Sequence, residues 1–358
     1  MPIPFVLAGL ALAAGLFGVA SGVEAYSNNS DANDYMRRAK VVYEKAQSAL
    51  ETQREQTASS LERLGTTKVS CWASTVGGFV HTFGKFKNVS FERGLGAVEK
   101  LHELQDANLK DMTAASLTAQ EVLKGGLGAL GAGALAGIAS LGGTMLLAKA
   151  STGTAIASLT GIAAKNATLA WFGGGALATK GFGVAGGVLV LKGIVLGPVL
   201  AVAGALLAAK SEENLAKAKL HYQEANNAAE KMATVVSFLS TVEKLSAAYN
   251  DFIVQFSAKV DRLADIVDEM HLRACADQNR GIAKLIRRLF GTQFKVDYSR
   301  LAMADRRMLH AYCLSAQVLH GVLAAPMLDR EGNLEQNAES ILRLAQEKSQ
   351  SLLGSAQS

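Results

Sequence analysis

Large side chains recur at alternating intervals of three and four along both flanks of this chain, and the pattern stops in the middle. Val69, Trp72, Val76, Phe79, Phe83 and Phe86 keep a 3-4-3-4-3 spacing, which places them on one face of a helix. Upstream the same seam continues in softer residues, Ala39, Tyr43, Ala46, Leu50, Gln53, Thr57, Ser60 and Leu64. A polar turn rich in capping residues, Ser27 to Asp31, precedes it. A helix over about 31–90 follows, with Gly65, Gly77, Gly78 and Gly84 as the places where it would break. Its aromatic run reads as bundle core rather than as a ligand box. A second, weaker amphipathic helix covers 95–124.

The strongest periodicity lies beyond Lys210. Leu215, Ala218, Tyr222, Ala225, Ala229, Met232, Val236 and Leu239 alternate by three and four. Val242 and Leu245 follow at two successive threes, a stammer that overwinds a supercoil locally. The alternation then resumes from Tyr249 through Ile253, Phe256, Val260, Leu263, Val267 and Met270 to Ala274. Neither Gly nor Pro occurs over 211–279, so one helix of ~100 Å is expected.

Between these flanks, 122–211 contains no Asp or Glu. Its charges are six lysines, Lys124, Lys149, Lys165, Lys180, Lys192 and Lys210, and 20 of the chain's 35 glycines lie in it. A water-facing surface needs polar side chains that this block lacks, so the bilayer is its natural solvent. The uncharged run 125–148 has membrane length. Small residues form i,i+4 rows of the glycine-zipper kind: Gly125, Ala129, Gly133 and Gly137; Gly128, Ala132 and Ala136; and Gly193, Gly197, Ala201, Ala205 and Ala209. The second row continues through Ser140, Thr144 and Ala148, and such rows let helix backbones approach closely in lipid. Gly and Ala contribute less insertion free energy than Leu or Phe, so the block suits conditional insertion.

Residues 3–23 are also uncharged, about the ~20 needed to span a bilayer. The rival readings are a secretory signal and a buried soluble helix, but no Lys or Arg precedes the run and it is long for a signal core. Arg37, Arg38 and Lys40 follow it, which puts the downstream side in the cytoplasm if it spans. The apolar seams of 31–121 and 211–279 are each other's simplest partners, which places the ends of the block together and makes the block a hairpin.

Hydrophobic residues at 49% against 19% charged fit this picture, and a net charge of +5 favours anionic lipid only weakly. Cys71, Cys275 and Cys313 are odd in number and make no CxxC motif, so a disulfide framework is excluded. Between Arg280 and Arg307 eight basic residues face two acidic ones. Arg280, Lys284, Arg287 and Arg288 are the candidate lipid-headgroup patch, with a solvated helix face as the plainer reading. His271 with Cys275, and His310 with Cys313, have spacings a zinc site tolerates, but nothing in the sequence forces the pairs together. No phosphate loop, nucleophile elbow or HExxH occurs. No catalytic residue, cofactor or metal is therefore expected, and neither nucleic acid nor a small-molecule substrate.

The fold class expected is all-α: an elongated coiled-coil bundle of long helices carrying a Gly/Ala-rich hydrophobic hairpin. Its divisions are an apolar helix over 1–26, a helical stalk over 27–121, the hairpin over 122–211, a coiled-coil helix over 212–279 and a basic helical region over 280–358. The stretch ATLAWFGGGALATKGFGVAGGVLVLKGIVLGPVLAVAG, 167–204, resembles a Gly-rich hydrophobic hairpin of bacterial proteins of unassigned function. In architecture alone, the chain is similar to α-helical pore-forming toxins of the cytolysin A and tripartite enterotoxin kinds and to apolipoprotein L-like proteins. That likeness implies a protein that inserts into a membrane, oligomerises with copies of itself, and permeabilises or remodels the bilayer. The membrane implied is the bacterial inner membrane with the stalk in the cytoplasm, or a target membrane if the protein is secreted. The alternative is a membrane-anchored scaffold without pore activity.

Overall fold

The computed structural model describes residues 30–89, 106–125, 131–141, 215–278, 294–328 and 333–355. About 89% of these are helical, so the chain is all-α. The first helix, α1 (Ser30–Cys71), runs through a π-helical turn (Trp72–Val76) into α2 (Gly77–Phe83). Gly65, Gly77 and Gly78 do not interrupt this helical run. It stops only at Gly84, whose N–H still reaches the Val80 carbonyl at 3.1 Å. Three of the four anticipated breaks are thus absent, because packing holds the glycines helical at the loss of roughly 1 kcal/mol each relative to Ala.

Beyond it lie a short strand, β1 (Phe86–Lys87), and helices α3 (Asp106–Gly125) and α4 (Gly131–Leu141). The long helix α5 (Leu215–Gln278) has 64 residues and no break at the stammer, where Val242 and Leu245 are both buried. The basic region is not wholly helical. It contains β2 (Val296–Asp297), a 3-10 turn (Tyr298–Arg300) and the start of α6 (Met303–Ala324). The strand forms because the Val296 N–H donates to the Lys85 carbonyl, setting β2 parallel to β1 with Phe86 opposite Val296. The last helix is α7 (Ala338–Ser355).

The chain divides into two compact units, 1–60 with 169–245, and 61–168 with 246–358. In the first, Ala39, Tyr43 and Leu50 of α1 pack with Ala225, Ala228, Met232 and Leu239 of α5. Three polar contacts set the register: Gln53 Nε2 donates to Glu243 Oε2 (2.6 Å), Thr57 Oγ1 to the Leu239 carbonyl (3.1 Å) and Ser60 Oγ to the Glu243 carbonyl (3.4 Å). From the Thr57–Leu239 contact to the Ser60–Glu243 contact the numbers rise on both sides, so the helices are parallel. The second unit repeats the direction. There, Thr67 pairs with Asn250, Thr75 with Asp261 and Thr82 with Asp268. Part-buried polar pairs of this kind fix register more than they add stability.

The seams read from the sequence are the core. Val69, Trp72, Val76, Phe79 and Phe86 are buried, as are Tyr249, Ile253, Phe256, Val260, Val267 and Met270. The hairpin expected over 122–211 lies, apart from the end of α3 and α4, outside the described residues. Helices α3 and α4 lie in the second unit, and the start of α5 in the first.

Candidate functional site

The described part of the block is α4, with the sequence GAGALAGIASL. Eleven residues are too few to hold a helix alone in water, and the segment has no charge pairs to help. Packing supplies the rest. Leu135, Ile138, Ala139 and Ser140 are all buried; burying Leu and Ile side chains stabilises by about 1.5–3 kcal/mol each.

The seat of α4 is made by two residues of α1, one turn apart. Gly65 lets the backbones touch: a Cβ there would lie 2.0 Å from the Leu135 carbonyl oxygen. Lys68 is fully buried, at 0% exposure. Its ammonium donates to the Ala139 carbonyl (3.1 Å) near the end of α4 and to the Ala325 carbonyl (3.2 Å) just past α6. It also sits 5.6 Å from the centre of the Tyr249 ring. That ring is held by its own hydroxyl, which donates to the Ala338 carbonyl at 2.7 Å.

The last carbonyls of a helix lack intrahelical donors and carry the negative end of its dipole. Lys68 therefore meets two such ends with one cation. The neighbouring Ser140 carbonyl accepts the N–H groups of Met327 (2.6 Å) and Leu328 (3.0 Å). The chain after α6 thus closes the C-terminal end of α4. No carboxylate bonds Lys68 among the described residues, and burial alone pushes its ammonium down from 10.5 to about 7.

The π-helical turn lies directly beyond this seat. Such turns free a carbonyl from the i→i+4 ladder. Here the side-chain amide of Gln120, on α3, donates to the Ala73 carbonyl at 3.1 Å. Gly77 makes room for it, since a Cβ there would lie 2.8 Å from Gln120 Nε2.

No protein-family model, curated protein or solved structure matches the chain. Function must therefore be argued from this site and the sequence.

The small-residue positions predicted for membrane-helix packing divide as follows. Gly125 ends α3 and is exposed, Gly133 is in α4, and Gly137 is in α4 and buried. Gly128, Gly193, Gly197, Ala201 and Ala205 lie outside the described residues, as do Arg280, Lys284, Arg287, Arg288 and the apolar run 3–23. The small residue that makes the closest described approach to α4 is Gly65, from outside the block.

The two His/Cys pairs stay apart in role. The His271 ring packs edge-on against Phe86, and its Nε2 is 3.4 Å from Cys275 Sγ. Cys313 is buried on α6, where burial pushes its thiol up. Among the described residues no three His, Cys, Asp or Glu side chains gather as a metal site.

Sequence reasoning missed Lys68, yet its signal was present. Counting four from Leu64 along the α1 seam lands on Lys68, a lysine in a core position. Gly65 was noticed only as a helix breaker. The carbonyl ends at Ala139 and Ala325 carry no sequence signal at all.

Proposed function

We propose that this is a membrane-inserting α-helical protein that oligomerises to permeabilise or remodel a bilayer, and that insertion is conditional. One observation carries the reading: α4, cut from a block free of Asp and Glu, lies seated inside protein by contacts to its backbone. Among the described residues no helix is long and apolar enough to cross a membrane. At 1.5 Å per residue α4 spans only about 16 Å, half the hydrocarbon thickness. In this reading α4 leaves its seat and enters lipid together with the remainder of the block. The rows through Gly133 and Gly193 then pack helices of neighbouring copies, and the basic residues from Arg280 onward meet anionic headgroups.

Dye release from liposomes tests the reading. Full-length protein should release dye, and Gly193→Leu with Gly197→Leu should abolish release. A chain that neither binds nor leaks liposomes under any opening condition would end the proposal.

A second reading has its own support in the polar ladder between α1 and α5, which favours a rigid scaffold over a rearranging pore. Tight vesicle binding without leakage would select the membrane-anchored scaffold.

A further inference from the structure

We propose that Gly65 and Lys68 form an autoinhibitory contact, holding α4 within the protein so that the acid-free block enters a bilayer only when this contact opens. The inference rests on the membrane-insertion reading and adds its control point.

Three features set this contact apart from ordinary core packing. It acts on the backbone of α4 rather than on its side chains, through the Gly65 approach to Leu135 and the Lys68 bond to Ala139. It joins three elements at one atom, because the same ammonium also bonds the Ala325 carbonyl. Finally, it uses a fully buried cation without a carboxylate partner, an arrangement more costly than an apolar side chain of the same length. A Met here would avoid the cost of burying the charge but would leave the Ala139 and Ala325 carbonyls without their donor. What Lys68 adds is a directed tie between the C-terminal end of α4 and the chain after α6. The tie is local: opening it exposes α4 without requiring the α1–α5 pairing to separate.

The test uses the full chain with Lys68→Met, which keeps the unbranched stem and removes the donors, and Gly65→Ala, whose Cβ must displace α4. Lys244→Met, at an exposed position on α5, serves as the control for loss of one positive charge. Hydrogen exchange is read at amides 135–141 of α4 and 249–260 of α5, which share a unit. Binding is read by flotation with vesicles of phosphatidylcholine and phosphatidylglycerol. Losing one hydrogen bond shifts a local opening equilibrium about tenfold. Lys68→Met should therefore speed α4 exchange about tenfold relative to α5 and raise the vesicle-bound fraction, although its charge change alone would lower binding to anionic lipid.

Exchange that rises equally in both helices, or in neither, overturns the contact as a local latch. Faster α4 exchange with unchanged flotation overturns autoinhibition. In that event, wild-type chain diluted from urea into the same vesicles separates the two ideas. If it floats, only the latch falls; if it stays unbound, the membrane reading falls too. Should Gly65→Ala fail to fold by circular dichroism, the Lys68→Met result decides alone.

Discussion

A lysine in a dry position leaves a signature in how stability responds to pH. Lys68 is lowered from 10.5 to about 7, so between those values the unfolded chain holds a proton that the folded chain has released. Stability then rises with pH across this interval, and the penalty of charging Lys68 is fully present below about 7. Denaturant midpoints measured from pH 7 to 9 should climb, with a share of about 1.4 kcal/mol per pH unit from this group. Lys68→Met should flatten the climb. Above that range Tyr249 and Cys71, both pushed up to about 12 by burial, oppose further gain. An equal slope in the variant would place the proton elsewhere.

The cysteines separate by the same logic. Cys71 and Cys313 are buried, whereas Cys275 is half-buried, and burial pushes all three thiols up. A thiol reagent at pH 8 should label Cys275 slowly in the native protein and all three cysteines in denaturant. Two fast-reacting native thiols would contradict this packing.

Among elements, the π-helical turn shows what a pattern of intervals can and cannot reveal. The 3-4 seam through Trp72, Val76 and Phe79 located the buried face correctly, because burial depends on periodicity. The widened turn within it was not legible. Its carbonyl at Ala73 is met by a glutamine 47 residues away in sequence, beside a glycine that makes space. Gln120→Leu should leave that carbonyl without its side-chain donor and cost about 1–3 kcal/mol. Thermal unfolding of the variant measures the loss, and an unchanged midpoint would show that the turn does not depend on Gln120.

Helix α5 was legible almost to its ends, since 64 residues without Gly or Pro and with one unbroken seam allow little else. Helix α6 falls within the region expected to be basic and helical, but its buried seam, Leu309, Tyr312, Ala316, Leu319 and Leu323 at intervals of three and four, is a core face rather than a solvated one. The basic residues before it mask that seam in the composition of the region. The tie that closes α5 was equally hidden. The Gln278 side-chain amide donates to the Asp297 carbonyl and accepts the Asp297 N–H, at 3.1 and 2.8 Å. A side chain there imitates a strand partner, which no periodicity announces.

At the scale of the whole molecule, sensitivity to acid is uneven. His271, His310 and His320 all lie in the unit that holds α4, and burial is the first cause lowering each of them. Lys85 further lowers His271, while Asp268 opposes that shift and Asp111 opposes the lowering of His320. A histidine lowered by folding contributes stability above its ordinary value near 6.5, and that contribution is lost as pH falls through it. The melting temperature should fall between pH 7 and 5.5. His320→Phe, which keeps a ring against Trp72, should reduce the fall. A midpoint independent of pH over this interval would exclude the histidines as its source.

The parallel course of α1 and α5 bears also on how the protein is made. Their register contacts join residues 182 to 190 apart in sequence. At ribosomal rates of about 5–20 residues per second, the seam of α1 waits about 10–40 s after synthesis before its partner exists. Through that interval Tyr43, Leu50 and their neighbours are uncovered, and the acid-free block is completed before α5 begins. The nascent chain must therefore keep its most apolar segment and an unpaired helix face from each other, or from lipid, until its last third arrives.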